Sequence, residues 1–369
     1  MEIAFEPQEA AFVREVRTFL GPWRGLDQFL ISNDYARLRA FYRALGERNW
    51  LALSWPVETG GLGHPAIYEF ILWDEMAGAR IARPPLSSGI VAKTIIRSGT
   101  PAQRARWLEP IRTGQLMFSL GYSEPEAGSD LAGLRTTARR DGNDYVVNGT
   151  KIWSSGAHDS DYLWLLCRTD AQSRRADGLS LLIVDLKSCG LRIRLMAKMS
   201  GNVFTELTFD DVRVPAEQRI GAENGAWPIM QMSLADERHV QFPPKRVRAD
   251  FEAVWSWIAG LGLDKDPVVR HRLAALAVDV LECQALALKV LSAGQGTPAI
   301  LAAAENKRAS TDAIQRIARA AMEFGCPEAV LYSSITDLLW RQTTEESIGG
   351  GTSEIMTGII ARLGLGLKA

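Results

Sequence analysis

The chain has 369 residues, 47% of them apolar and 23% charged, with a formal net charge of −1. That length exceeds what one compact core usually holds, so two or three subdomains are expected, and the near-neutral charge gives no electrostatic reason for a nucleic-acid partner. Four scattered cysteines, Cys167, Cys189, Cys283 and Cys326, have no CxxC spacing, which argues against a zinc site, any other metal centre of that kind, or a disulfide scaffold.

The N-terminus, Met1 to Glu6, lacks the basic and apolar regions of a signal peptide, and no apolar run is long enough to span a bilayer, so a cytoplasmic protein without a membrane span is expected. Residues from about 6 to 115 read as helical: Ala10 to Leu20 and Tyr35 to Leu45 carry apolar residues at helical spacing, and the pattern resumes over Ala66–Ala79 and Leu86–Gly99. The stretch Ser54 to Gly63 reads as a loop from its proline and glycines. From about 116 to 220 the period shortens. Leu116–Leu120, Tyr145–Gly149, Tyr162–Cys167 and Leu179–Val184 are β-rich runs, and Asp141-Gly142-Asn143-Asp144 is a hairpin turn. Beyond 226 long helical patterns return, above all over Val268–Ser292. The expected fold is therefore α+β: an N-terminal α-helical domain (1–115), a middle β domain of barrel-like character (116–225) and a C-terminal helical bundle (226–369).

Two stretches carry the chemistry. Tyr122-Ser123-Glu124-Pro125-Glu126-Ala127-Gly128-Ser129-Asp130 is a turn after a β run, with small residues where backbone N–H groups and a hydroxyl can approach an anion such as a pyrophosphate. In Val147 to Ala157, Trp153 stands beside small hydroxyl residues and is suited to packing on a flat ring. Each also reads as ordinary structure, a polar loop and a buried hairpin tryptophan. Gly61-Leu62-Gly63-His64-Pro65-Ala66 fits G-x-G-x-x-A but lacks a βαβ context, which speaks against a nicotinamide site.

Together these stretches resemble the flavin-binding signatures of the acyl-CoA dehydrogenase family, T-E-P-x-A-G-S-D and N-G-x-K-x-W-I-[ST]-[NG]. Pro56 to Gly63, Phe209-Asp210-Asp211-Val212-Arg213-Val214-Pro215 and Gly351-Thr352-Ser353-Glu354-Ile355 resemble further family motifs in the right order, so the likeness runs along nearly the whole chain. The resemblance implies the family's fold, with a four-helix C-terminal bundle, and FAD as cofactor. It places Tyr122, Ser123, Gly128, Ser129, Trp153, Ser155, Thr352 and Glu354 at the cofactor, and Ser129 near the acyl thioester as well. It implies α,β-dehydrogenation of an acyl-CoA, with an electron-transfer flavoprotein as acceptor.

The family pattern breaks at two places. Of its two positions for the catalytic base, the one before G-T-S is here Gly350, which has no side chain to take a proton. The other, in L-x-x-E-R, reads Leu234-Ala235-Asp236-Glu237-Arg238, so the resemblance makes Glu237 the base and Arg238 a substrate-side residue. Such a carboxylate works in a dry site that raises its proton affinity. Glu346, about one helical turn before Gly350, is the fallback. The second break concerns the segments that cover a neighbour's FAD. The R-x-x-F-G segment reads Gly260 to Asp266, and the Q-x-x-G-G segment reads Met322-Glu323-Phe324-Gly325-Cys326. These losses lead to the expectation of an α2β2 heterotetramer with a homologous subunit, resembling heteromeric members that act on steroid side-chain or dicarboxylyl thioesters. A flavin monooxygenase or oxidase on the same fold, and a non-catalytic subunit, are the alternatives. The basic run Lys245-Arg246-Val247-Arg248 reads as a solvated face, with CoA phosphates as a second reading.

Overall fold

The computed structural model describes residues 5–24, 35–173, 175–236, 242–294, 296–324, 327–331 and 334–368. Among these residues lie eleven α-helices and eight strands. The helices are α1 (Pro7–Leu20), α2 (Tyr35–Glu47), α3 (Ala66–Gly78), α4 (Ala92–Ser98), α5 (Pro101–Arg112), α6 (Ala226–Asp236), α7 (Pro244–Gly260), α8 (Pro267–Ser292), α9 (Thr297–Phe324), α10 (Ile335–Thr343) and α11 (Ser353–Leu365). The strands are β1 (Phe118–Gly121), β2 (Thr137–Asp141), β3 (Asp144–Ser155), β4 (Tyr162–Arg168), β5 (Leu179–Asp185), β6 (Leu191–Ala197), β7 (Val203–Pro215) and β8 (Arg219–Ile220). The helical, sheet-rich, helical order is the one the periodicities lead one to expect. Two compact units form: one of Met1–Asp27, Ala66–Arg83 and Arg238–Ala369, the other of Gln28–Pro65 and Pro84–Glu237.

The unit holding the sheet orders its strands β6-β7-β3-β2-β4-β5-β8, with β1 parallel to β4. The β3/β7 and β4/β5 pairs are antiparallel, while β2 meets β4 through the single register pair Thr137–Arg168. Tyr145 and Val147 of β3 and Leu207, Phe209 and Val212 of β7 share one core with Leu163, Leu165, Leu182 and Val184 of β4 and β5. The sheet therefore curls over its own interior, which is the barrel-like arrangement. The alternate residues of β4 and β5, Trp164, Leu166, Leu181 and Ile183, pack instead with Ile95, Trp107, Leu108 and Ile111 of α4 and α5. Both faces of these two strands are buried, which is why their sequences run apolar without alternation. A π-helical turn, Ser87–Val91, precedes α4, and α5 starts from Thr100, whose hydroxyl accepts from the Gln103 N–H while the Gln103 amide oxygen accepts from the Thr100 N–H.

The other unit centres on α9. Its Ala313, Ile314, Ile317, Ala318, Ala320 and Ala321 are buried against Leu273, Leu276, Val280 and Cys283 of α8 and Val247, Val254 and Ile258 of α7. Small residues on α9 let neighbouring helices approach closely. Asp266 caps α8 by accepting from the N–H groups of Val268 and Val269. The helices α1 and α3 belong to the same unit and meet through the rings of Phe12 and Tyr68, 5.2 Å apart. None of the helices described is long and apolar enough to cross a membrane.

Candidate functional site

The loop after β1 is fastened to the end of β3 by a set of hydrogen bonds. The Ile152 N–H donates to the Ser123 carbonyl at 2.9 Å, the Ser154 hydroxyl to the Leu120 carbonyl at 2.7 Å, and the Ser119 hydroxyl to the Ser155 carbonyl at 2.9 Å. Beneath them lies an ion pair between two residues that sequence reasoning did not single out. Lys151, 0% exposed, donates from Nζ to Glu124 Oε1 at 2.8 Å and to the Tyr122 carbonyl at 2.9 Å. Glu124 also accepts from the N–H groups of Arg135 at 2.6 Å and Thr136 at 2.8 Å. Burial opposes ionisation of Glu124, but Lys151 and the donors from Arg135 and Thr136 outweigh it and hold the carboxyl below its usual range. Burial pushes the Lys151 ammonium down, and Glu124 works against that shift. The two signature stretches are thus one structural object, joined by a buried charge pair. Gly149 serves the same junction: its φ is +142°, and a side chain there would strike Thr136.

This corner presents a flat apolar surface. Trp153 is 54% exposed although it belongs to a strand. It lies where the β3/β7 register shifts between Lys151 and Ser154, and its φ of +65° is left-handed. Such a backbone costs a non-glycine residue on the order of 1–3 kcal/mol and persists only where the surroundings impose it. The bulge turns the indole outward, with the Phe204 ring of β7 edge-on at 5.7 Å and 77°. Ser155, Gly128 and Ser129 are exposed, and Tyr122 and Ser123 are half-buried. Ala127 exchanges backbone hydrogen bonds with Glu124, folding the loop back so that Gly128 stands in open space. The expected residues of this unit therefore do lie on one stitched loop-and-strand corner. An open indole face, an exposed hydroxyl and a small-residue loop fit a planar ring system with a polar tail.

The other expected positions fall elsewhere. Thr352 and Glu354 belong to the helical unit. Thr352 caps α11, its hydroxyl accepting from the Ile355 N–H at 3.2 Å. Glu354 is exposed in the first turn, where a backbone donor and the Thr352 hydroxyl hold its carboxyl below the usual range. Glu237 and Arg238 lie outside the described residues, as do Gly325 and Cys326, and α6 is described to Asp236. Glu346 is ion-paired with Arg83 at 2.7 Å, so the fallback base already has a guanidinium partner. Lys245 pairs with Glu75 at 2.5 Å and lies 3.6 Å from Asp74, and Arg246 pairs with Asp250 at 3.0 Å, so two of the three basic residues in the run are internally neutralised. Among the described residues no cluster of three or more metal-ligating side chains occurs.

Three family models match in order: "Acyl-CoA dehydrogenase, N-terminal domain" over residues 8–115, "middle domain" over 119–212 and "C-terminal domain" over 227–365. The chain is 36% identical to acyl-CoA dehydrogenase FadE29 of Mycobacterium tuberculosis, over 89% of this chain and 88% of that protein. It is 33% identical to FadE26 of the same organism, over 100% and 99%. Among solved structures, the ChsE4–ChsE5 complex of M. tuberculosis superposes with a TM-score of 0.91 at 32% identity, covering 100% of each chain. The Tcur3481–Tcur3483 steroid acyl-CoA dehydrogenase gives 0.90 at 28%, again over 100% of each.

Proposed function

The chain belongs to the acyl-CoA dehydrogenase family of flavin-dependent oxidoreductases, and from that premise we propose that it uses FAD to remove hydrogen from the α and β carbons of an acyl-CoA thioester. The observation that carries the reading beyond family membership is the corner at Trp153, a strained, outward-facing indole on a loop pair riveted by Glu124 and Lys151. Tyr122, Ser123, Gly128, Ser129, Trp153 and Ser155 would hold the flavin, with Thr352 and Glu354 as further cofactor contacts. Bound there, FAD would supply a hydride acceptor for the β carbon. Glu237 takes the α proton, Arg238 stands on the substrate side, and Ser129 lies by the thioester. Glu237 is preferred because Gly350 has no side chain to take a proton and Glu346 is engaged by Arg83.

The same reading extends to assembly and substrate. Met322 and Glu323 stand where the family pattern has a polar cofactor contact, and a carboxylate there repels a pyrophosphate. A homologous partner subunit in an α2β2 assembly would supply what is missing, with fewer flavins than chains and an electron-transfer flavoprotein as acceptor. The steroid acyl-CoA dehydrogenase among the structural relatives supports a bulky acyl group, and the ChsE4–ChsE5 complex supports a heteromeric assembly.

The test is anaerobic flavin bleaching by a panel of acyl-CoA thioesters, on the chain alone and co-expressed with a homologous partner. Wild type is expected to bleach. Glu237→Gln keeps the flavin and the fold but bleaches slower by about 10²–10⁴. Bleaching of Glu237→Gln at the wild-type rate eliminates Glu237 as the base. A colourless chain under both conditions favours the non-catalytic subunit. Reoxidation by oxygen coupled to product oxygenation favours the monooxygenase.

A further inference from the structure

Lys307 lies on α9 and is 3% exposed, so its ammonium must find partners inside the protein. Nζ donates to the Glu346 carbonyl at 3.4 Å and to the Gly349 carbonyl, and it stands 5.1 Å from the centre of the Phe242 ring. The hydrogen bonds go to main chain, while the carboxylate of Glu346 pairs with Arg83. The next turns of the same helix face repeat the pattern. The Thr311 hydroxyl is 3.5 Å from the Glu346 carbonyl, and Gln315 Nε2 donates to the Thr343 carbonyl at 2.9 Å. Residues 307, 311 and 315, spaced four apart, form a ladder of donors aimed at the end of α10 and the loop that follows it.

The loop is poorly determined by its own sequence. Gly349-Gly350-Gly351 has no side chains, and Gly350 and Gly351 sit at φ +67° and +95°. A run of glycines has many backbone states to choose from, so a single shape must be imposed from outside. The loop contains Gly350, one of the two base positions discussed above. Phe242, the other partner of Lys307, is five residues beyond Glu237, the second of those positions.

We infer that Lys307 is a positioning residue for the dehydrogenation, a buried ammonium that clamps the triglycine loop and Phe242 into one arrangement. Its part in the reaction rests on the function proposed above, but the clamp can be read without turnover. Bonds from an ionised donor are about twice as strong as neutral ones, so the clamp depends on the proton. Burial pushes Lys307 down to about 8; Glu346 opposes the shift and Arg83 adds to it. Those two are the charged groups acting on it, and its other neighbours, Phe242, Thr311 and Gln315, do not titrate. The clamp therefore holds below about pH 8 and slackens above it. Linkage gives the fold the opposite sign. With the folded value of Lys307 about 8 against 10.5 unfolded, this group makes the folded chain more stable as pH rises between them. Loosening of the loop is thereby separable from loosening of the protein.

The experiment is hydrogen exchange of peptides covering 345–351 in the flavin-loaded protein, corrected for intrinsic rates, with stopped-flow bleaching alongside. In wild type, loop protection should fall across pH about 8 while peptides from α8 and α9 keep theirs. Lys307→Met should raise loop exchange at pH 7 about tenfold or more and slow bleaching at saturating acyl-CoA by a similar factor. Wild-type protection that stays flat from about pH 6.5 to 9.5 overturns the clamp, and this readout needs no variant to fold. Faster loop exchange in Lys307→Met with bleaching at the wild-type rate overturns the positioning role. If none of the thioesters bleaches the wild type, the proposed function fails, and exchange alone then judges the clamp.

Discussion

Among the described residues two lysines are buried, and their surroundings differ. Lys151, in the sheet unit, meets a carboxylate that is itself tied to two backbone N–H groups. Lys307, in the helical unit, meets carbonyl dipoles and an aromatic face. A full opposite charge in direct contact makes the first a rivet: Lys151 and two N–H donors hold Glu124 below the ordinary carboxylate range, while burial lowers Lys151 and Glu124 works against that shift. The second lysine has only dipoles in direct contact, burial lowers it to about 8, and its grip is set by pH. One site is built to stay closed. The other is adjustable within the pH range in which enzymes work.

Breaking the rivet gives the largest expected effect on stability. Lys151→Met leaves Glu124 buried without its cation, which costs about 3–5 kcal/mol. Melting temperature and flavin content should fall together, and adding Glu124→Gln to the same chain should recover part of both. A Lys151→Met protein as stable as wild type would show that the pair does not join the two loops. The pH dependence sharpens the contrast. The depressed carboxyl of Glu124 contributes stability above its unfolded value, lost as pH falls through the lower folded one, so this corner weakens in acid whereas the Lys307 clamp weakens in mild alkali.

Trp153→Gly separates function from strain. Glycine accepts the left-handed backbone without cost, which offsets the lost edge contact with Phe204, so stability should change by less than about 1 kcal/mol. Flavin affinity, measured by ultrafiltration, should fall about tenfold or more if the indole packs on the ring. Unchanged affinity would remove Trp153 from the cofactor site. The smallest effect is expected at Thr352→Ala, where loss of one helix cap costs about 1 kcal/mol, visible as faster exchange in the first turn of α11.

Much of the fold was legible as periodicity. The apolar runs of β4 and β5 read as strands, and the Asp141–Asp144 turn falls where β2 passes into β3. The loop at 122–130 was readable as a turn because its small residues follow a strand. The Glu124–Lys151 pair was not readable, since 27 residues separate its members and each resembles a surface charge when read alone. Nor was the conformation of Trp153. A tryptophan in a β-rich run reads as core, and the register shift that turns it outward belongs to the β3/β7 pairing, not to β3.

Local chemistry in the sequence thus determined which segments are helix or strand, which loops carry small residues, and that Gly350 has no side chain to act as a base. Those properties depend on neighbours a few residues apart, where periodicity and residue type are sufficient. Tertiary structure alone decided which buried lysine has a carboxylate and which has only carbonyls, that Glu346 is taken by Arg83, and that an α9 donor ladder shapes a loop of glycines. Those outcomes depend on which distant groups share a low-dielectric interior, where a carboxylate and a carbonyl dipole compensate a buried ammonium differently.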